Sequence, residues 1–241
     1  MIFAAGLGTR LKPMTDTMPK ALVPVGGRPL LEILISKLKR EGCTDIVINI
    51  HHFAQQIVDF VERNQSFGIN IRFSDETSQL LETGGGIRHA SPMLQDDEPF
   101  LVHNVDILSN VGLADFHRQG IMNDATLLVS SRDTQRYLLF DNDMRLVGWT
   151  NIKTGEVKSP FPDLDVDSCR KYAFAGIHTF SPRLFPLMES WPDKFSIIDF
   201  YLSACRNSLI KGVVKSDLRL IDVGKLDTLA KAEEFLKDFS Y

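Results

Sequence analysis

The residues with the clearest chemical potential lie in the first 31 positions, MIFAAGLGTRLKPMTDTMPKALVPVGGRPLL. An apolar run over residues 1–5 ends at Gly6 and Gly8, a pattern typical of a buried strand that closes in a tight turn. Glycines in such a turn let backbone N–H groups approach an anion closely. Arg10 adds a guanidinium that can donate two parallel hydrogen bonds, and Lys20 adds a compact ammonium charge. Both groups are suited to bind phosphate oxygens. The segment therefore favours binding of phosphate groups.

Two common phosphate-binding loops can be tested against this spacing. The dinucleotide fingerprint needs a third glycine three residues after Gly8, where this chain has Leu11, and the Walker pattern G-x-x-x-x-G-K-[ST] is absent. Prolines at positions 13, 19 and 24 prevent an α-helix from starting at the turn. The spacing predicts a long ordered loop, and it argues against a dinucleotide-dependent oxidoreductase.

Two aspartates follow short apolar runs later in the chain. Asp106 comes after a predicted strand at residues 100–103, and Asp222 comes after one at residues 219–221. Ligands of open parallel sheets bind beyond the carboxyl ends of the strands. Two carboxylates together with phosphate oxygens form a suitable ligand set for Mg²⁺. The alternative is that each aspartate caps the turn after its strand.

Hydrophobic periodicity places these residues on alternating strands and helices. Predicted strands cover residues 1–5, 46–50, 69–73, 100–103, 125–130, 172–180 and 210–214, and predicted helices cover residues 29–41, 53–68, 83–94, 113–119, 198–206 and 226–239. This alternation predicts an α/β fold with a mostly parallel central sheet that is covered on both faces. Residues 137–140 and 146–149 predict a small antiparallel hairpin, followed by a surface loop at residues 153–167.

Length and composition limit the classes of function. With 241 residues, 44% of them hydrophobic, the chain is predicted to form one domain over residues 1–241. The formal charge of −4 offers no basic surface for nucleic acid and no polybasic patch for a membrane, so the expected partner is a small molecule. The three cysteines follow no disulfide or metal-binding pattern, so we expect them to be reduced thiols. The sequence also shows no basic leader and no apolar run of membrane-spanning length, and we therefore expect a cytoplasmic protein.

The N-terminal segment closely resembles the signature of the sugar-1-phosphate nucleotidyltransferases. The matching positions are Gly6, Gly8, Thr9, Arg10, Pro13, Thr15, Pro19, Lys20, Pro24 and Pro29. Later matches at residues 81–86, at Asp106, and at residues 174–182 and 222–224 extend the likeness over nearly the whole chain. Within the family, the chain looks most like the N-acetylmuramate 1-phosphate uridylyltransferases and next most like the mannose-1-phosphate guanylyltransferases.

This resemblance implies a Rossmann-like three-layer sandwich, with a nucleotide-binding half at residues 1–130 and a sugar-binding half at residues 131–241. It implies that Arg10 and Lys20 are catalytic and hold the reacting phosphates, and that Asp106 and Asp222 bind Mg²⁺. Nucleotide contacts are implied for Ala4, Ala5, Gly6, Gly8, Thr9, Arg10, Glu82, Thr83 and Gly84, and sugar contacts for Gly85, Asn104, Gly176 and Lys171.

Three features depart from the family pattern. Val105 replaces the glycine that usually precedes the first aspartate, and Lys225 replaces a common threonine after Asp-Val-Gly. The Glu-Lys-Pro tripeptide that often binds the sugar phosphate is absent. Lys153, Lys158 and Lys171 are candidates to replace its lysine, and the sequence does not choose between them.

The implied reaction transfers a nucleotidyl group from an NTP to a sugar 1-phosphate and releases pyrophosphate. UTP with an N-acetylated, lactyl-bearing hexose 1-phosphate is the first expectation, and three successive glycines at residues 84–86 suit a bulky acceptor. GTP with mannose 1-phosphate is the second expectation, and a non-catalytic sugar-nucleotide sensor is the alternative from another class. The oligomeric state stays open. Relatives usually carry one to several residues before the first strand, which leaves open whether residues precede Met1.

Overall fold

The computed structural model describes residues 1–94 and 97–238. The chain divides into two compact units. Unit 1 contains Met1–Leu80, His103–Phe116 and the described residues from Arg219 onward, and unit 2 contains the described residues of Leu81–Val102 together with His117–Leu218. These units do not divide the chain at residue 130, because the C-terminal segment belongs to unit 1. The prediction of one domain over residues 1–241 stays a prediction.

Most strands and helices lie where the periodicity predicts them. The strands are β1 (Ile2–Phe3), β2 (Pro24–Val25), β3 (Arg28–Pro29), β4 (Asp45–Ile50), β5 (Asn70–Asp75), β6 (Phe100–Asn104), β7 (Ile107–Ser109), β8 (Ala125–Ser130), β9 (Arg136–Phe140), β10 (Leu146–Asn151), β11 (Glu156–Lys158), β12 (Arg170–Phe180), β13 (Ile210–Val214) and β14 (Leu220–Asp222). The helices are α1 (Leu30–Arg40), α2 (Ala54–Arg63), α3 (Glu82–Ala90), α4 (Leu113–Gly120), α5 (Phe185–Met188), α6 (Ile197–Ala204) and α7 (Leu229–Asp238). Phe239, predicted to end the last helix, lies outside the described residues.

Unit 1 is built on a parallel sheet in the order β6, β1, β4, β5. Of β6, only the last two residues, His103 and Asn104, belong to this unit. In β4 every residue after Asp45 is buried, as expected for a parallel strand covered on both faces. Helix α1 buries the predicted stripe of Leu30, Leu34 and Leu38. Each such side chain stabilises the fold by about 1.5–3 kcal/mol when fully buried.

The proline-rich segment between β1 and β2 contains no α-helix, as its spacing predicts. It makes three short 3₁₀ turns instead, at Thr9–Leu11, Met14–Asp16 and Lys20–Leu22. Leu11, Thr15 and Ala21 are buried, one in each turn. One inward side chain in each turn anchors the segment, so its glycines and cations occupy defined positions.

The strand that carries Asp222 differs from the prediction. It was expected to end at residue 221 and to belong to the parallel sheet. The structure instead pairs β14 antiparallel with β7 in a separate two-stranded sheet, and Asp222 is the last residue of β14. The three-residue segment 219–221 does not reveal whether its partner strand is parallel or antiparallel, because pairing is decided by distant residues.

Unit 2 is built on a sheet in the order β13, β8, β12, β9, β10, β11. Only β13 with β8 is parallel in this series, so the antiparallel part extends beyond the predicted hairpin. The predicted surface loop at residues 153–167 also contains a strand, because β11 adds to the edge of β10. Strand β12 has a register shift between Phe174 and His178, where Gly176 has a φ of +75°. Such a bulge requires glycine.

The predicted fold class is confirmed: the chain is a mixed α/β protein with a mostly parallel central sheet and small antiparallel sheets. Among residues 1–94 and 97–238, each helix is too short or too polar to span a membrane.

Candidate active site

The glycine turn after β1 has the geometry of an anion-binding loop. Gly8 has a φ of +63°, and a Cβ added there would lie 2.8 Å from the Thr15 methyl carbon. The Thr15 hydroxyl donates a 2.8 Å hydrogen bond to the Gly8 carbonyl oxygen and fixes the turn. Within the described chain, the N–H groups of Gly6, Leu7 and Gly8 have no acceptor. Successive unpaired N–H groups of this kind form a concave site for phosphate.

A buried amide holds the strand end that leads into this turn. Asn49 Oδ1 accepts hydrogen bonds from the Ala4 N–H at 2.7 Å and the Ala5 N–H at 3.3 Å. Asn49 Nδ2 donates to Glu76 Oε1 at 2.8 Å, and both side chains belong to residues at most 3% exposed. The N–H groups of Ala4 and Ala5 are thus occupied, so a nucleotide cannot be bound through them while this bond persists.

Sequence reasoning missed Asn49 and Glu76. The available signal was one amide in the otherwise apolar run Ile46-Val47-Ile48-Asn49-Ile50, because a polar side chain in a strand covered on both faces needs a buried partner. Its partner at position 76 lies beyond the end of β5 and could not be identified without the strand register.

We predict that Asn49→Asp weakens the site and that Glu76→Gln repairs it. The single change brings two carboxyl groups together in a buried place, at a cost of about 1–3 kcal/mol or more. In the double variant, the introduced aspartate accepts from Ala4, Ala5 and the new glutamine amide. The melting temperature should fall in Asn49→Asp and recover in the double variant, as thermal melts will show. Additive losses would contradict this pairing.

Lys20 and Asp106 meet in unit 1. Lys20 Nζ forms a close ion pair with Asp106 Oδ2, and the two side chains are 12% and 16% exposed. The segment from 105 to 109 that carries Asp106 is buried at Val105, Ile107, Leu108 and Ser109. Val105, which departs from the family glycine, turns its side chain into this packed layer. Lys20 begins the third 3₁₀ turn of the proline-rich segment.

Antiparallel pairing of β7 with β14 brings Asp222 next to Asp106. Asp222 lies opposite Ile107, and the Val223 N–H donates to the Asp106 carbonyl oxygen at 2.8 Å. Asp222 Oδ1 is buried and has no hydrogen-bond partner in the described chain. A charged oxygen withdrawn from water without a donor is costly. Such an atom is suited to bind a cation.

Arg10 approaches the same carboxylate. A Cβ added at Gly224 would lie 2.6 Å from Asp222 Oδ1 and 2.7 Å from Arg10 Nη2, so all three groups converge. Arg10 is exposed and makes no hydrogen bond or ion pair with the part of the chain that the structure describes. Its guanidinium donors are therefore available to an anion.

Two buried titratable side chains, Lys37 and His103, lie in unit 1. Burial lowers the pKa of Lys37 to about 8, and its Nζ donates to the Ser109 carbonyl oxygen at 2.5 Å. Burial also lowers the pKa of His103 to about 3, so this imidazole is neutral at pH 7. The hydrogen bond from Lys37 thereby connects α1 to the end of β7, the strand that pairs with β14.

The carboxylates of this region match the needs of a divalent cation that completes its shell with other ligands. Among residues 1–94 and 97–238, no group of three or more His, Cys, Asp or Glu side chains could hold a metal ion. Asp106 and Asp222 supply two carboxylates. One buried oxygen of Asp222 has no hydrogen-bond partner within the described chain. Mg²⁺ commonly takes one or two carboxylates and completes its shell with water and substrate phosphates. The residues present fit that pattern.

In unit 2, the glycines predicted to lie beside the base and sugar have a packing role. A Cβ at Gly84 would overlap the Phe195 ring, and one at Gly85 would overlap the Asp193 carbonyl oxygen. The N–H groups of both glycines donate to the Phe195 carbonyl oxygen, at 2.9 and 3.2 Å. The space left by their missing side chains is therefore filled by protein, which corrects the interpretation that it accommodates a bulky acceptor.

The neighbouring residues of α3 have partners of their own. The Thr83 hydroxyl oxygen accepts the Ile197 N–H at 2.9 Å, at the start of α6. Glu82 is exposed, with a φ of +62° and an ion pair of 3.9 Å to Lys194. Their predicted contacts with a nucleotide stay predictions.

The predicted sugar-binding residues are divided between the two units. Asn104 is at the end of β6 in unit 1, two positions before Asp106, whereas Gly176 is at the bulge of β12 in unit 2. Unit 2 also has a cavity of about 520 Å³, which Lys158 lines. Lys153 and Lys171 are not among its lining residues, and Lys171 pairs with Asp167 at 3.4 Å. Among the three candidate lysines, the structure places Lys158 alone at this cavity.

The chain is similar to known proteins in sequence and in fold. A family model described as nucleotidyl transferase matches residues 1–238. The N-acetylmuramate alpha-1-phosphate uridylyltransferase of Neisseria meningitidis is 45% identical over 111 residues, 46% of this chain and 48% of that protein. The mannose-1-phosphate guanyltransferase of Saccharomyces cerevisiae is 29% identical over 197 residues, 80% of this chain and 52% of that protein. The matches thus span about half the length of these relatives.

Two solved structures share the fold. HddC from Yersinia pseudotuberculosis, complexed with GMP-PN, has a TM-score of 0.75 at 24% identity and covers 98% of this chain and 97% of its own. The inositol-1-phosphate CTP transferase from T. maritima has a TM-score of 0.75 at 16% identity and covers 98% of this chain and 93% of its own. The family model, which matches nearly every residue, confirms the resemblance that the N-terminal motif indicated. The chain belongs to the nucleotidyl transferase family.

Proposed function

We propose that this chain transfers a nucleotidyl group from an NTP, with UTP preferred, to a sugar 1-phosphate, and releases pyrophosphate. The acceptor that we infer is of the N-acetylhexosamine type, such as N-acetylmuramate 1-phosphate. The observation that carries the proposal is the convergence of Lys20, Asp106, Asp222 and Arg10 beside a turn with unpaired N–H groups in the described chain. This set contains the cations and carboxylates that phosphoryl chemistry requires.

The reaction needs positioning and charge neutralisation more than acid–base catalysis. The attacking group is a phosphate oxygen that is largely ionised at neutral pH, since a second phosphate pKa lies near 6. No side chain has to remove a proton. The obstacle is the approach of two anions, which preorganised donors and cations overcome. The N–H groups of Gly6 to Gly8 and the guanidinium of Arg10 are proposed to hold the triphosphate, and Lys20 the reacting phosphates.

Asp106 and Asp222 would hold Mg²⁺, which when bound neutralises charge on the phosphate oxygens. Lys20 forms an ion pair with Asp106 in the structure, so the two charges compensate each other. On binding of an anionic substrate, the Lys20 ammonium can exchange its carboxylate partner for phosphate oxygens. This exchange keeps the lysine charge compensated throughout.

The preference for UTP and a muramate-type sugar is supported by the relatives. Two uridylyltransferases that act on N-acetylmuramate 1-phosphate by name, from Neisseria meningitidis and Caulobacter vibrioides, share 45% and 41% identity over less than half of this chain. The second candidate is guanylyl transfer to mannose 1-phosphate, because the yeast enzyme aligns over 80% of this chain, although at 29% identity. A sugar-nucleotide sensor is disfavoured because Arg10, Lys20, Asp106 and Asp222 are all present.

The deciding experiment is pyrophosphate release measured with four NTPs and a panel of sugar 1-phosphates. We expect the highest kcat/KM for UTP with N-acetylmuramate 1-phosphate. A preference for GTP of more than about tenfold, equivalent to 1.4 kcal/mol of transition-state binding, would favour the guanylyl assignment. Tight binding of a nucleotide sugar without pyrophosphate release from any pair would identify a sensor.

A further inference from the structure

The cavity of unit 2 is formed on one face of the antiparallel sheet. Side chains alternate along a strand, so residues two apart share a face. In β10 these are Trp149 and Asn151, and both line the cavity. The strand register places Leu138 and Lys158 on either side of Trp149, and Arg136 and Glu156 on either side of Asn151. The floor therefore consists of one row centred on an aromatic ring and one row of polar side chains.

Helix α6 supplies one wall of the cavity. Ile198, Asp199 and Leu202 line the cavity from this helix, together with Ser196 just before it. Lys158 Nζ lies 5.4 Å from the centroid of the Trp149 ring and forms ion pairs with Asp199 at 3.0 Å and Glu156 at 4.0 Å. The lysine charge is thus shared between two carboxylates of the same cavity. It is not available in full to an anion.

Two arginines at the other side of the cavity have no acidic partner among the described residues. The Arg132 guanidinium donates to the Phe174 carbonyl oxygen at 3.1 Å. The side chain of Arg136 makes no hydrogen bond or ion pair with residues 1–94 or 97–238. With Arg132, Arg136 and Lys158 against Glu156 and Asp199, the lining carries one excess positive charge. The excess is located at the two arginines.

We propose that this cavity binds the sugar of an acidic sugar 1-phosphate and that Arg136, with Arg132, recognises its carboxylate. The proposal rests on the proposed function and names a class of acceptor and two specificity-determining residues. The apolar face of a pyranose can pack on Trp149, while Asn151 and Thr134 meet its amide and hydroxyl groups. A guanidinium pairs with a carboxylate through two parallel hydrogen bonds, which a neutral sugar cannot provide.

The first test uses binding alone and requires no transferase activity. The chain has two tryptophans, so in a Trp191→Phe background Trp149 reports the cavity. Free N-acetylmuramic acid should change the fluorescence at concentrations where N-acetylglucosamine, which lacks the lactyl carboxylate, does not. Arg136→Gln should abolish this difference. Arg206→Gln, an exposed arginine of unit 2 away from the cavity, should preserve it. Equal responses to both sugars would overturn the proposal.

The second test separates recognition of the carboxylate from recognition of the phosphate. Arg136→Gln should lower kcat/KM for N-acetylmuramate 1-phosphate by about 10- to 100-fold, the scale of a hydrogen bond to a charged group. It should change kcat/KM for N-acetylglucosamine 1-phosphate by less than about threefold. Equal losses on both substrates would mean that the arginine holds the shared phosphate, and the proposal would be wrong. If acid binding is selective but no substrate pair is turned over, the proposed function fails and the acid site stands.

Discussion

Asp222→Asn should reduce turnover on the order of 10³-fold while the protein remains folded. The substitution removes the negative charge from a buried oxygen that has no partner in the described chain, so the proposed divalent cation would lose a charged ligand. Several kcal/mol of charge stabilisation depend on such a ligand. The described residues make no hydrogen bond to Oδ1, and the melting temperature should therefore stay within a few degrees. Pyrophosphate assays with a Mg²⁺ titration, together with thermal melts, measure both quantities.

Asp106→Asn should lose comparable activity, with one additional effect. It leaves Lys20 without its carboxylate partner, so a small loss of stability accompanies the loss of turnover. Asp227→Asn is a matched control, because Asp227 is exposed in the same C-terminal segment. Near-normal turnover in either Asp106→Asn or Asp222→Asn would remove that residue from the proposed metal site.

Arg10→Ala should lower kcat by about 30- to 1000-fold at saturating NTP, which corresponds to about 2–4 kcal/mol, the scale for removal of one preorganised donor. Arg10 is exposed and has no partner in the described residues, so its deletion should not affect the melting temperature. Lys20→Ala should show a similar loss in kcat. It also leaves Asp106 without a cation, and its Mg²⁺ dependence should therefore change as well.

Lys12→Ala is the control for both variants. Lys12 lies in the same loop but is 61% exposed and pairs at the surface with Asp16, and surface pairs of this kind stabilise proteins by about 1 kcal/mol or less. If Arg10→Ala or Lys20→Ala raises only the KM and leaves kcat intact, the residue contributes uniform binding, and its catalytic role is wrong.

The hydrogen bonds of Asn49 and Glu76 hold the strand end that precedes the glycine turn. Asn49 lies on β4 and Glu76 just beyond the end of the neighbouring parallel strand β5, and together they fix the Ala4 and Ala5 N–H groups. The turn that follows therefore starts from a defined position. Preorganisation of this kind determines whether donors stabilise a transition state or reorganise when it forms.

The sequence by itself determined the family, the loop and the charged residues. Gly8 needs a left-handed backbone and the prolines exclude an α-helix, and both constraints are local, so they can be recognised in the order of residues. The helices of unit 1 were likewise predictable, because apolar residues recur at helical spacing and one face must be buried. The alternation of strands and helices was sufficient to predict the α/β class.

Only the tertiary structure decided which distant residues meet. Asp222 lies beside Asp106 because β14 pairs with β7, and a run of three residues contains no signal for that partner or its direction. Gly84 and Gly85 are required by the close approach of residues 193–195, which local spacing could not distinguish from room for a ligand. The cavity row of Arg136, Asn151 and Glu156 depends on cross-strand register, which is set by packing across the sheet.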